Sequence, residues 1–211
     1  MPRRTLAALG LASATLLAAG PAPAQDGARF PDQRPAAITL ENIGGVIVQT
    51  VEFEGEESQS YTNAGLFTSY FPFITPQQKL GFHYFVAPPL SVGLGFHYSD
   101  NDEIGETLLI APRIGAGFSM SDGVALWLRG GVSYFSADIG SFFGELSDVW
   151  IGGEALVVLH PVDHFGFMIG PLVEFGVAGE RESGGFLGGQ STTEDYEFRQ
   201  LGVTFGVLAD F

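Results

Sequence analysis

The chain contains no cysteine, so disulfides, a lipid anchor on cysteine and thiol–metal chemistry are all excluded. Basic residues are scarce: Lys and Arg number 9 against 24 Asp and Glu, for a net charge of −15. Removing Arg3 and Arg4 with a leader takes this to about −17, and a phosphate backbone needs a basic face, which argues against a nucleic-acid partner. After the first 24 residues no apolar run reaches the ~18 that a spanning helix needs. Mean hydropathy is nevertheless +0.23.

What is present begins with a leader. Arg3 and Arg4 precede an apolar run from Leu6 to Ala19, and Ala22-Pro23-Ala24 supplies an A-x-A cleavage site before Gln25. Residues 1–24 therefore read as a secretory signal peptide, outside the fold. A hydrophobic exported chain without a membrane helix has one way to cross a bilayer, which is closed strands with every backbone group paired. The 30 Gly and 19 Phe suit that solution, glycine in a crowded narrow lumen and phenylalanine against lipid.

The closing stretch from Phe198 to Phe211 carries the clearest period of two. Leu201, Val203, Phe205, Val207, Ala209 and Phe211 alternate with Gln200, Gly202, Thr204, Gly206 and Asp210. The same alternation recurs in Leu80 to Val86, Val92 to Tyr98, Leu108 to Phe118, Val124 to Tyr134, Val149 to Leu159 and Phe165 to Val177. A further strand spans Ile38 to Phe53, where Gly44-Gly45 suggests a bulge. Tight turns near 87–90, 120–123 and 161–164 alternate with longer acidic connections at 54–77, 100–106, 137–147 and 179–196. Short turns on one side and long loops on the other are the asymmetry of a transmembrane barrel.

The expected fold is all-β: a closed antiparallel up-and-down transmembrane β-barrel of eight strands over 38–211, preceded by a periplasmic lead-in over 25–37. An extra hairpin within 64–74 would make ten strands. An even count puts both termini in the periplasm of an outer-membrane protein. A soluble lipocalin-like barrel would instead carry its charges outside, whereas here strand charges are sparse and the face opposite them is apolar.

The mature region resembles the small outer-membrane β-barrel proteins of Gram-negative bacteria. The resemblance is carried by the terminal strand ending in Phe211 and by the phrases G-F-H-Y-F-V-A-P-P-L-S-V-G-L-G and A-P-R-I-G-A-G-F-S-M-S-D-G-V-A-L-W-L-R-G-G-V-S-Y. It implies that Phe211 is an assembly signal read by the barrel-assembly machinery, and that outer-membrane lipid and lipopolysaccharide surround the barrel. Such families are functionally mixed.

Four charged strand residues, Arg113, Arg129, Glu154 and Glu174, fall on the inward face, where a lumen ion-pair network would fill the narrow barrel. His83, His97 and Ser99 read as polar lumen lining. His97-Tyr98-Ser99 is similar to the H-x-S element of the outer-membrane lipid A deacylases, in which a His activates a Ser. However, Asp100 stands where that family has Asn, and the pair faces the lumen. Phe53, Tyr98 and Tyr134 read as aromatics of the outer interface, and Phe118, Phe165 and Phe211 as those of the periplasmic one. The histidines lack metal spacing, and the segment Asp100 to Ala111 has Ile104 and Ala111 where a calcium loop needs oxygen donors. No metal site or cofactor is expected, although the acidic loops could hold divalent cations loosely. Three functions follow: a non-enzymatic envelope barrel with a filled lumen, a narrow porin-like channel for small solutes, or a lipid A-modifying enzyme.

Overall fold

The structure, a computed structural model, describes residues 30–53, 57–66, 78–101, 105–138, 144–183 and 192–211. The leader, Gln25 to Arg29 and the tips of the long connections lie outside it. Among the described residues the strands are β1 (Ala36–Phe53), β2 (Gln59–Leu66), β3 (Lys79–Ala87), β4 (Leu90–Asn101), β5 (Gly105–Ser121), β6 (Val124–Asp138), β7 (Glu145–Val162), β8 (Phe165–Ser183) and β9 (Thr192–Asp210). Each pairs antiparallel with its neighbour, and β1 closes the ring on β9 from Ala37↔Asp210 to Phe53↔Tyr196.

These nine strands fill eight positions. On its second edge β1 meets two partners in turn: Ala36 to Glu41 pairs with β3, and Gly44 to Val51 pairs with β2. β2 and β3 therefore lie end to end alongside β1, as two pieces of one wall element. No tenth position forms among the described residues, and 67–77 lies outside them. The barrel also begins at Ala36, two residues before the expected start. The β1–β9 register shifts between Leu40 and Gly44. Asn42 takes φ 54 there, a left-handed conformation that Asn tolerates better than most residues, and Glu41, Asn42 and Ile43 are buried in succession.

Side-chain alternation makes the outer surface apolar. On β9, Leu201 and Val203 face outward and exposed, with Phe205, Val207 and Ala209 behind them, while Gln200, Thr204, Gly206, Leu208 and Asp210 are buried within. Leu201 to Phe211 spans about ten residues, which at ~3.4 Å each and a tilt near 42° covers ~25 Å along the barrel axis, the height of an outer-membrane apolar band. Pro88-Pro89, Asp122-Gly123 and Asp163-His164 make the tight turns at one end, together with the segment from Phe30 to Pro35 and with Phe211. The last of these falls later than the expected Pro161-Val162-Asp163, because β7 continues to Val162.

At the opposite end the strands run beyond the apolar band. Much of what reads as long acidic loop is strand: Glu106, Asp138, Glu145, Glu180 and Asp195 all lie on ladder positions. Above the band the outward residues are polar while Ala137, Leu146 and Tyr196 are buried within, so the apolar-outward alternation that marks a strand lower down is lost while backbone pairing continues.

Candidate functional site: the filled lumen

The lumen is built in three layers. At mid-height, charged side chains converge from six strands. Arg129 on β6 and Glu154 on β7 are direct cross-strand partners, and the Arg129 guanidinium donates to Glu154 Oε2, at 3.0 Å from Nε. Its Nη1 also donates to Glu41 Oε1 at 2.6 Å, and Glu41 accepts from Thr39 at 2.8 Å and lies 3.2 Å from His83 Nε2. Arg113 Nη2 donates to Ser133 Oγ at 3.1 Å and lies 3.5 Å from Glu174 Oε1, with Lys79 Nζ at 3.8 Å from the same oxygen. Gln200 donates to Glu174 at 3.3 Å, and Gln49 donates to Gln200 at 3.0 Å.

Lys79, Arg113 and Arg129 thus meet Glu41, Glu154 and Glu174, three cations against three carboxylates, all at least nine-tenths buried. Glu41 and Lys79 were not singled out in the sequence. Glu41 sits beside the bulge where alternation slips, although the inward register of Ala37 and Thr39 leads directly to it. Lys79 opens β3, just past the residues outside the structure.

Glycines make room for these side chains. Along the hydrogen-bonding direction the ladder runs His83, Gly93, Arg113, Gly131, Gly152, Glu174, Gln200, Gln49. Arg113 stands between two glycines and Glu174 beside a third, so a long side chain can lie across a neighbour that has none. A methyl group on Gly93 would collide with the His83 ring.

Apolar clusters cap this polar layer on both sides. Toward the turn end, Trp127, Phe85, Leu156, Val158, Met168 and Leu208 pack together with Phe30, which belongs to the segment before β1. Phe30 meets Phe85 edge-on at 5.2 Å and Trp127 at 5.4 Å. Trp127 also carries the Arg129 guanidinium 4.7 Å above its ring and donates to Ser91 Oγ at 3.2 Å. Toward the loop end, Trp150 stacks on Phe135 at 5.6 Å and lies 5.2 Å from Phe198, with Leu109, Leu146 and Val51 around them.

The lead-in is therefore part of the barrel's filling. Arg34 Nη1 donates to both carboxylate oxygens of Asp210, at 3.0 and 3.3 Å, and Nη2 donates to Asp163 at 3.3 Å. Asp210 Oδ2 lies 3.1 Å from His160 Nε2, and its backbone carbonyl lies 2.8 Å from His164 Nδ1. The sequence presents His83, His160 and His164 as lone polar residues. In the structure His83 sits against Glu41, and the other two converge on Asp210, which is fully buried although it is the penultimate residue.

His97 and Ser99 are engaged elsewhere. His97 Nδ1 lies 2.7 Å from the Gln78 carbonyl, and the Ser99 hydroxyl shares a 2.6 Å hydrogen bond with Thr107. The His–Ser bond that a deacylase resemblance implies is not made, and Ser99 is exposed at the rim instead of lining the enclosed lumen. Tyr98, Tyr134, Phe118, Phe165 and Phe211 face outward and are exposed. The Phe53 backbone pairs with Tyr196, and its side chain lies outside the described residues. Among the described residues no cluster of His, Asp and Glu has metal-binding geometry.

Fold and lumen together define a closed, side-chain-filled antiparallel β-barrel with an apolar outer surface. No protein-family model and no curated protein matches the chain. Among solved structures it is similar to Neisserial surface protein A, at 11% identity and TM-score 0.47 over 83% of this chain and 97% of that one. It is similar also to the outer membrane protein AlkL, at 10% identity and TM-score 0.49 over 91% and 96%. A third is the outer membrane protein OprG from Pseudomonas aeruginosa, at 13% identity and TM-score 0.42 over 83% and 96%.

Proposed function

We propose that this chain is a non-enzymatic integral outer-membrane barrel whose lumen is a structural plug, and whose role is structural or lies in what its acidic outer rim meets. The observation that carries this reading is the neutral layer of three cations and three carboxylates held between two apolar clusters. A conducting lumen keeps water and unpaired charge along its path. Here the charges are spent on one another, and Trp127, Trp150 and Phe30 occupy the space above and below them.

In this reading the turn end and both termini lie in the periplasm, and the strand extensions with their carboxylates lie outside the cell. Barrel-assembly machinery inserts the chain, reading Phe211, and lipopolysaccharide surrounds the apolar band. The deciding measurement is conductance of the purified protein in a planar bilayer. The expected result is no steady current, and a stable unitary conductance from the wild type would replace the plug with a channel.

A further inference from the structure

The barrel closes where β1 meets β9, and the lower part of that junction is short. Below the register shift between Leu40 and Gly44, the two strands are joined by the four ladder pairs from Ala37↔Asp210 to Leu40↔Val207 and by the exchange between Ala36 and Phe211. On its other edge β1 changes partner at the same height, from β3 at Glu41 to β2 at Gly44. Ala36 to Leu40 is thus a short length of wall set off from the rest of β1. A rolled sheet stays closed only while its two edge strands are paired, so this is where it is easiest to reopen.

The segment from Phe30 to Pro35 lies across this end and touches the wall far from its own point of attachment. The Phe30 ring meets Phe85 of β3, Trp127 of β6 and His160 of β7, at 5.2, 5.4 and 5.4 Å. In the ring order β3 and β7 stand four places apart, which in a ring of eight positions puts them on opposite sides of the lumen. Pro31 packs against β5, where a methyl group on Gly117 would come within 2.8 Å of its Cγ. The Pro35 carbonyl accepts from the Phe85 amide at 2.6 Å, and Arg34 reaches Asp210 of β9 and Asp163 of the turn between β7 and β8. The receiving surface is assembled from β3, β5, β6, β7 and β9. It exists only once the sheet has rolled into a ring.

We infer that residues 30–35 form a strap that docks after the barrel has closed and holds the lower β1–β9 junction shut. Arg34 grips Asp210 beside the Ala37↔Asp210 pair, so reopening requires breaking a buried ion pair and withdrawing the Phe30 ring from the lumen mouth. Contacts absent from the closing transition state slow unfolding and leave the folding rate alone. The strap therefore supplies kinetic stability. It does so whether or not the lumen conducts.

The test separates the two rates. Protein folded in detergent micelles is jumped into high urea and tryptophan fluorescence follows unfolding, while the reverse jump follows folding. Phe30→Ala should unfold roughly a hundredfold faster and Arg34→Gln about tenfold faster, each folding within about twofold of the wild-type rate. Gly117→Ala, which crowds Pro31 without altering the segment itself, should also speed unfolding. Hydrogen exchange of Arg34→Gln, read by mass spectrometry, should rise in peptides covering 36–41 and 205–211 and stay at the wild-type level in residues 145–154 of β7. The heat-modifiable band checks that each variant starts folded. Folding slowed as much as unfolding is accelerated would place docking before closure and overturn the inference. So would unfolding rates unchanged in Phe30→Ala and Arg34→Gln, or exchange raised evenly round the barrel, which would make the segment general filling and not a hold on the closing strands.

Discussion

Arg129 and Glu154 face each other across the β6–β7 ladder, and the same guanidinium reaches round the lumen to Glu41, 88 residues away in the chain. One cation therefore bridges two buried carboxylates. Arg129→Ala removes the cation hydrogen-bonded to both, an effect on the scale of about 3–5 kcal/mol for a broken buried pair. The unfolding midpoint in urea should fall accordingly, and adding Glu154→Gln should recover part of the loss. Strictly additive losses in that double-mutant cycle would show that the pair does not interact.

Arg113 is placed to couple with a different carboxylate. It lies 3.5 Å from Glu174 and, unlike Arg129, makes no hydrogen bond to Glu154. Arg113→Ala should lower the midpoint, and Glu174→Gln should offset that loss more than Glu154→Gln does. Equal coupling to both would mean that the layer behaves as diffuse charge and not as defined pairs.

The end of the chain divides two roles between adjacent residues. Phe211 points outward, half exposed, and exchanges backbone hydrogen bonds with Ala36 at 2.8 and 3.3 Å. Asp210 points inward, fully buried, onto Arg34 and His160. Replacing Phe211 with a charged residue should slow insertion, measured as the time course of the heat-modifiable band in lipid vesicles. Asp210→Ala should lower stability by removing the buried carboxylate that holds Arg34, leaving it only the exposed Asp163, while changing insertion less. Insertion slowed equally by both changes would remove the special role of Phe211.

Phe30 tests whether the lead-in belongs to the barrel. Its ring is buried against Phe85 and Trp127, so Phe30→Ala should destabilise toward the lower end of the ~3–5 kcal/mol seen for buried Phe, since the segment sits at an open end. A midpoint identical to wild type would return residues 30–35 to the status of a tether. Steady conductance gained by this variant with no loss of stability would instead mark Phe30 as a stopper.

The sequence by itself determined the closed barrel, its tight turns and the inward placement of Arg113, Arg129, Glu154 and Glu174. Lipid on one side and a filled lumen on the other impose a period of two on every strand within the apolar band, and that signal is local. Where the constraint ends, so does the legibility. Glu145 and Glu180 read as loop because the outward face of the strand extensions is polar and no longer apolar, although the ladder continues through them. Only the tertiary structure decided which charges meet, because Glu41 and Arg129 come together through barrel closure and a bulge at Asn42, and no spacing in the chain encodes that. The same holds for Phe30 and Arg34. Their stretch has no periodicity to read, and it acquires a position only once the turn end of the finished barrel offers Trp127, Phe85 and Asp210 to pack against.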